Sequence, residues 1–137
     1  MVQRPRGTRD FTPDVMNRRL AFEKLLETKA LAHGFKRVQT PIFESLDLFT
    51  AKSGPGVVKQ LYAFQDKSER ALTLRPELTA PVMRMISEEM RGSPKPLRLS
   101  YFGQCFRYEE SKKVATVNFT SMGQNLLERM AHLLRQK

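Results

Sequence analysis

The sequence predicts an α+β fold, a mainly antiparallel sheet with flanking helices. Three segments show the apolar spacing of amphipathic helices, and several short apolar runs between them are typical of strands. Two of these runs are joined by a short polar turn, which favours antiparallel pairing. A length of 137 residues fits one domain, so we expect a single unit spanning residues 1–137.

The first predicted helix follows Pro13, with Asp14 as its cap and Gly34 as the glycine just past its end. Its apolar positions are expected near one face: Val15, Phe22, Leu25, Leu26 and Leu31. The next segment, FKRVQTPIF, alternates like a strand until Pro41 interrupts the ladder. LYAF and ALTL, joined by QDKSER, then predict a hairpin.

The second predicted helix lies in RPELTAPVMRMISEEMRG, with Thr79 as its N-cap and Pro81 near its first position. Its buried stripe is expected at Val82, Met85, Ile86 and Met90. LRLSYFGQCFRY follows as a core strand. A last amphipathic helix is expected from Asn125, where Asn125 and Glu128 form a capping-box variant.

Composition narrows the function classes. The net charge of +10 favours contact with a polyanion such as RNA or nucleotide phosphates, although a solvated basic face explains it equally well. No P-loop, dinucleotide fingerprint or zinc-finger spacing is present. The lone Cys105 is expected to be a small buried hydrophobe. No apolar run is long enough for a membrane span and no secretory leader is evident, so we expect a cytoplasmic protein without a membrane partner.

Candidate chemistry concentrates at two places. Glu77 and Thr79 stand at a helix start, where their oxygens can accept hydrogen bonds from an ammonium group. Arg107 and Glu109 are two residues apart on a strand, so a phosphate-binding cation and an acceptor can face one ligand. Each also has a structural explanation, as a helix cap, a helix-dipole partner or a surface ion pair.

Four segments, GTRDF, GFKRVQTPIFE, LYAFQDKSERALTLRPELTAPVMR and KPLRLSYFGQCFRYE, resemble in order and spacing the N-terminal part of the catalytic domain of bacterial and archaeal histidyl-tRNA synthetases. The resemblance covers Arg4 to Glu109. It implies a class II aminoacyl-tRNA synthetase fold in which the region ending at Pro41 resembles motif 1, the dimer-forming element. The implied partners are ATP with magnesium as the substrate complex, histidine, tRNA(His) and a second copy of the chain.

The resemblance also implies roles for individual residues. Glu77 and Thr79 would hold the α-amino group of histidine. Arg107 would bind the α-phosphate of ATP and stabilise the charge that develops as histidyl-adenylate forms. Glu109 would contact the adenine edge, and Phe119 matches the aromatic residue that stacks on adenine. No metal-ligating residue is implied.

Beyond Glu109 the sequence departs from the family pattern. Ala115 and Val117 stand where two loop arginines are expected, and Ser121 and Asn125 stand for a glutamine and a glutamate that grip the substrates. Residues 110–137 therefore form a divergent segment beside the family-like residues 1–109. The later family segments, including motif 3, would lie beyond Lys137, so we expect at most weak adenylate formation.

Three interpretations remain open. The first is a catalytic fragment that binds ATP and histidine. The second is a non-catalytic regulatory or interaction module, since the family includes a regulatory subunit of ATP phosphoribosyltransferase. The third is a fragment with an altered tail and a structural role. Arg107 separates them, because regulatory binding of histidine alone does not require it.

Overall fold

The computed structural model describes residues 2–5, 7–53, 55–108 and 119–120. The helices there are α1 (Pro13–Ala32), α2 (Asp47–Ser53), α3 (Thr79–Glu89) and a 3₁₀ helix, Pro55–Gln60. The strands are β1 (Lys36–Arg37), β2 (Phe43–Ser45), β3 (Ala63–Gln65), β4 (Ala71–Leu74), β5 (Leu99–Ser100), β6 (Gln104–Cys105) and β7 (Phe119–Thr120). The helix expected from Asn125 lies outside the described residues. None of the helices in these ranges is long and apolar enough to cross a bilayer.

The strands of the described residues form three small sheets. Strand β4 lies between β2 and β3 and is antiparallel to both. Strands β6 and β7 are also antiparallel, whereas β1 and β5 form a parallel pair. The predicted α+β class with a mainly antiparallel sheet is confirmed.

The hairpin of β3 and β4 is held at its turn by one carboxylate. Asp66 Oδ1 accepts hydrogen bonds from the backbone amides of Ser68 and Arg70, each at 2.9 Å, and Oδ2 accepts one from Arg70 Nε at 2.6 Å. These bonds hold the pKa of Asp66 below its ordinary value, with the Arg70 amide as the largest cause. The predicted hairpin is therefore confirmed, and its polar turn is locally hydrogen-bonded.

Helix α1 begins differently from the prediction and ends as predicted. Its N-cap is Thr12 and Pro13 is the first helical residue, so Asp14 lies in the first turn instead of capping the helix. Proline suits this position because its missing N–H would have no partner in the helix. At the other end Gly34 has a φ of 76°, the left-handed conformation that closes helices and favours glycine.

The inner face of α1 is largely polar, and the expected apolar stripe is wrong for three of its five residues. Phe22, Leu25 and Leu31 are each more than half exposed. The helix instead buries Ala30 completely, beside Leu26, Phe35 and Phe102.

An ion-pair cluster attaches the same face of α1 to β1. Arg37 donates to Glu23 at 2.9 Å and to Glu27 at 3.0 Å. Glu23, Glu27 and Ala30 follow one another at spacings of four and three residues, which places them on one helix face. The sequence pattern did not reveal this face because its contacts come from β1 and from Phe102, not from a continuous apolar surface.

The main core lies under α3. Leu78, Val82, Tyr101 and Cys105 are buried together, with Val38, Met85, Ile86 and Leu99 packed around them. The expected buried stripe of the second helix is confirmed at Val82, and Met85 and Ile86 pack against it. Strand β2 is attached to this helix by the buried Glu44, which accepts from Arg84 at 2.7 and 2.8 Å.

The two long predicted strands are both divided. The segment around Pro41 gives β1 before the proline and β2 after it, as expected for a residue that cannot donate to a ladder. The segment from 97 to 108 gives β5 and β6, with Gly103 between them. This division brings β6 beside the start of α3, where the candidate site lies.

Candidate functional site

The candidate site lies where the start of α3 meets the segment after β6. Glu77 precedes the helix and accepts hydrogen bonds from two backbone amides, that of Thr79 through Oε2 and that of Ala80 through Oε1, each at 2.7 Å. The first amides of a helix have no partner within it and carry its positive dipole end, so a carboxylate stabilises them. Glu77 is thus the capping group of α3.

Thr79 has a different place from the one predicted. The N-cap position belongs to Leu78, which makes no side-chain cap bond, and Thr79 is the first helical residue with an exposed side chain. The predicted Thr79 N-cap is wrong because the longer Glu77 side chain already reaches the amides at the helix start. Pro81 is accordingly the third helical residue and is buried.

Arg107 is exposed and lies beside the residue that precedes Glu77. Its Nε donates to the carbonyl oxygen of Pro76 at 3.0 Å. This bond fixes the guanidinium through its Nε–H, and neither Nη group takes part in the bond. The structure therefore brings Arg107 together with the Glu77–Thr79 segment, although the two lie about 30 residues apart in the sequence.

The residues next to Arg107 are attached to the 3₁₀ helix. The Tyr108 amide donates to the carbonyl oxygen of Gln60 at 3.0 Å. The Tyr108 ring packs edge to face against the Tyr62 ring, with ring centres 5.7 Å apart. Such aromatic pairs contribute about 0.5–1.5 kcal/mol beyond the area they bury. Tyr108, the residue after Arg107, is thus also held in place.

The other two predicted nucleotide contacts are placed only in part. Phe119 lies in β7, where it is the register partner of Cys105 on β6. Its backbone therefore runs beside the strand that leads to Arg107. Glu109 lies outside the described residues, as do Ala115, Val117, Ser121 and Asn125.

Cys105 is buried in the core under α3, within electrostatic reach of Arg75 and Arg107. Burial raises the pKa of its thiol, and the nearby Arg75 and Arg107 oppose this increase. The thiol is therefore protonated at neutral pH and packs as a small hydrophobe. The prediction that Cys105 is buried is confirmed.

The sequence analysis missed Arg75, the most buried charged side chain near the site, which is 4% exposed. It follows β4 directly, and its guanidinium donates to backbone carbonyl oxygens of two other segments. The only signal in the sequence was an arginine immediately before Pro76 and Glu77. Nothing in its local pattern distinguishes it from a surface arginine.

No group of three or more His, Cys, Asp or Glu residues within the described ranges is arranged to hold a metal ion. The resemblance implies magnesium only as part of an ATP substrate complex, in which phosphates and water would supply most of the ligands.

Comparison with known proteins identifies the family. A family model described as "Histidyl-tRNA synthetase" matches residues 7–131. The chain belongs to the histidyl-tRNA synthetase family. Among curated members, histidine–tRNA ligase of Archaeoglobus fulgidus is 51% identical over 132 residues, which are 96% of this chain and 32% of that protein. The enzyme of Methanosarcina acetivorans is 50% identical over 126 residues, 92% of this chain and 30% of that protein.

Solved structures of family members show the same fold. The apo Staphylococcus aureus histidyl-tRNA synthetase matches with a TM-score of 0.78 and 31% identity, covering 99% of this chain and 40% of that one. A Bacillus halodurans protein titled as an ATP phosphoribosyltransferase regulatory subunit/histidyl-tRNA synthetase has a TM-score of 0.75 at 23% identity, covering 89% of this chain and 31% of that one. The second likeness concerns the fold alone. This chain spans about a third of the length of the curated relatives it matches.

Proposed function

We propose that this chain is a histidyl-tRNA synthetase-derived catalytic fragment that binds ATP and histidine and forms histidyl-adenylate at most weakly. The observation that carries the proposal is the hydrogen bond from Arg107 Nε to Pro76, which holds an exposed guanidinium beside Glu77. A cation for phosphate and a carboxylate for an ammonium group are the two charges that such a pair of substrates requires. Membership of the histidyl-tRNA synthetase family is the reason that we assign Arg107 to the phosphate and Glu77 to the ammonium group.

Each residue then has one role. Arg107 binds the α-phosphate, and Glu77 with Thr79 holds the α-amino group of histidine. The Glu77 carboxylate has about four acceptor sites, and two backbone amides occupy one site on each oxygen, so acceptor capacity remains for an ammonium group. Glu109 would contact the adenine edge, and Phe119 would stack on the base.

The proposed reaction needs little proton transfer. The carboxylate of histidine is already ionised and attacks the α-phosphorus, pyrophosphate leaves, and the developing negative charge faces Arg107. Magnesium bound to the phosphates of ATP would neutralise part of the same charge. The work of the protein is therefore to align the two substrates and to present fixed positive charge.

Further partners follow from the surface. The net charge of +10 supports contact with tRNA(His), which we include in the proposal. Ile42 and Phe43, directly after Pro41, are 49% and 53% exposed, and Phe64 on β3 is 44% exposed. These side chains support a homodimer formed through the motif 1 region, since exposed large apolar side chains favour a protein contact. We place the whole within one domain, residues 1–137, in the cytoplasm.

The second candidate function is a non-catalytic regulatory or interaction module. It is favoured by the loss of charge at Ala115 and Val117 and by the changes at Ser121 and Asn125. Such a module would bind histidine or a protein partner without a requirement for Arg107. The same experiment therefore separates the two functions.

The test combines ATP titration with histidine-dependent exchange of pyrophosphate into ATP by the purified chain. Because Arg107 is exposed, we take the lower end of the range for a charge-assisted contact and expect Arg107→Ala to lose about 2 kcal/mol, or roughly 30-fold in ATP affinity. Arg91→Ala removes an exposed arginine after α3 and serves as the charge-matched control. Equal ATP affinity in the Arg107→Ala and Arg91→Ala variants would refute the assignment of Arg107. Histidine binding without ATP binding would instead favour the regulatory module.

A further inference from the structure

Arg75 connects three segments of the chain through its side chain. Its Nε donates to the carbonyl oxygen of Gln104 in β6 at 2.9 Å. Its Nη1 donates to the carbonyl oxygens of Thr40 and Pro41 at 2.9 and 3.1 Å, and to the Thr40 hydroxyl at 3.4 Å. One planar guanidinium therefore holds the end of the motif 1 segment and the site strand at a fixed separation.

The main chain of Arg75 makes the same two connections. Its amide donates to the carbonyl oxygen of Ile42 at 2.9 Å, and its carbonyl oxygen accepts from the Phe106 amide at 2.9 Å. Gln104 and Phe106 are thus both bound to Arg75, one on each side of Cys105. Arg107, the proposed phosphate ligand, directly follows Phe106. Arg75 therefore holds the residue that immediately precedes this ligand.

Gly103 provides the space that the guanidinium occupies. A Cβ at this position would overlap Arg75 Nη2 and would lie 3.1 Å from Cζ and 3.3 Å from Leu78 Cδ2. Any larger residue therefore forces the guanidinium, or the strand that carries Gly103, to move. The glycine before β6 and the arginine after β4 form one packed unit.

Burial of the Arg75 guanidinium opposes folding, because a charged group loses its contacts with water. The partners of the Arg75 guanidinium named above are neutral oxygens, and burial is the main reason that the pKa of Arg75 is lowered. Even buried ion pairs can often be replaced by apolar residues of similar volume at no loss of stability. Burial of this charge therefore calls for a role that an apolar side chain could not fill, namely holding two backbone segments in register.

We propose that Arg75 is a positioning residue for the phosphate-binding arginine: by fixing Gln104 and Phe106 against the Thr40–Pro41 segment, it sets where Arg107 meets Pro76 and Glu77. This inference rests on the proposed function, because it assigns a purpose to the placement of Arg107. A shift of about 1 Å at a substrate-positioning group can cost on the order of a hundredfold in rate. Arg75 itself is buried and acts through the backbone segments to which its guanidinium donates.

The experiment compares Arg75→Met, Arg75→Lys and Gly103→Ala in the full chain with Arg84→Met as control. Arg84 is a partly buried arginine that, like Arg75, makes several short bonds, but its bonds reach Glu44 and Glu88 and not the site strand. Two quantities are measured under conditions where each variant is folded: ATP affinity, and amide hydrogen exchange at Phe106, Arg107 and Tyr108 relative to α1. A purely structural residue lowers the midpoint of unfolding without changing the ATP affinity of the folded molecules.

We expect Arg75→Met and Gly103→Ala to weaken ATP binding about tenfold and to speed exchange at the Phe106 amide, relative to α1, by a similar factor. Arg84→Met lowers the global stability, but the ATP affinity of its folded molecules and its Phe106 exchange relative to α1 should stay within about twofold of the wild type. Arg75→Lys should not restore ATP affinity, because a single ammonium cannot reproduce the planar fork that spans two segments. If Arg75→Met does not fold, Arg75→Lys and Gly103→Ala decide the question.

Wild-type ATP affinity in the folded Arg75 and Gly103 variants would overturn the inference, even with faster exchange, because Arg75 would then be structural only. Equal losses in Arg84→Met would overturn it as well. A wild-type chain that binds no ATP would instead refute the proposed function. The exchange rates at Phe106 would then still show whether Arg75 fixes the strand, so the two failures are distinguishable.

Discussion

The capping of α3 by Glu77 allows a direct test, because the sequence and the structure assign the cap to different residues. In Glu77→Ala both helix-start amides, each now bound at 2.7 Å, lose a charged acceptor. In Thr79→Ala an exposed side chain without a role in the cap is removed. The two variants lie two residues apart at the same helix end, so Thr79→Ala serves as the control for Glu77→Ala.

The expected loss in the free energy of unfolding follows from the kind of hydrogen bond that is removed and from its exposure to solvent. Removal of a helix cap costs about 0.5–2 kcal/mol, and bonds to an ionised acceptor lie toward the upper end. The bond to the Thr79 amide is exposed, so water can replace the lost acceptor there. The bond to the Ala80 amide is partly buried, so water replaces it less readily. We therefore expect Glu77→Ala to lower the free energy of unfolding by about 1.5 kcal/mol. Thr79→Ala should remain within about 0.5 kcal/mol of the wild type, since alanine is also the better helix former.

The assay is urea denaturation followed by far-UV circular dichroism, with the slope of the transition checked for equality between variants. Glu77→Gln gives an intermediate point: it keeps one acceptor oxygen but loses the charge that complements the helix dipole. A loss for Thr79→Ala equal to that for Glu77→Ala would refute the reasoning. So would an unchanged Glu77→Ala variant, because the two short bonds would then contribute no net stability.

Two further predictions concern charges elsewhere in the fold. Arg84→Met leaves the buried Glu44 without its bidentate partner and should cost about 3 kcal/mol by denaturation, and the double variant Glu44→Leu/Arg84→Met should recover most of that loss. Asp66 has a lowered pKa in the folded chain, so its contribution is present above its ordinary pKa and is lost as the pH falls through the folded value. The stability difference between the wild type and Asp66→Asn should accordingly change between about pH 5 and pH 2 and stay constant above that range, as measured by urea denaturation. A constant difference at every pH would contradict it.

Local patterns accounted for much of the fold. The hairpin over β3 and β4, the helix α3, and the glycine that closes α1 were all predicted from periodicity and turn chemistry, which act between residues close in the sequence. Motif order was sufficient to indicate the family, and the sequence singled out Glu77 and Arg107. Their roles remain proposals, and what the structure adds is that they lie together.

Contacts between distant segments decided the rest, and these leave little trace in a local pattern. The expected stripe on α1 was wrong because its inner face is set by Arg37 and Phe102, which approach from other elements. Thr79 has the residue type of an N-cap, yet the reach of the Glu77 side chain determined which group bonds the amides. Arg75 resembles a surface arginine in the sequence. Only tertiary structure buries it, because its partners at Thr40 and Gln104 lie 35 and 29 residues away and meet it only when β2, β4 and β6 assemble.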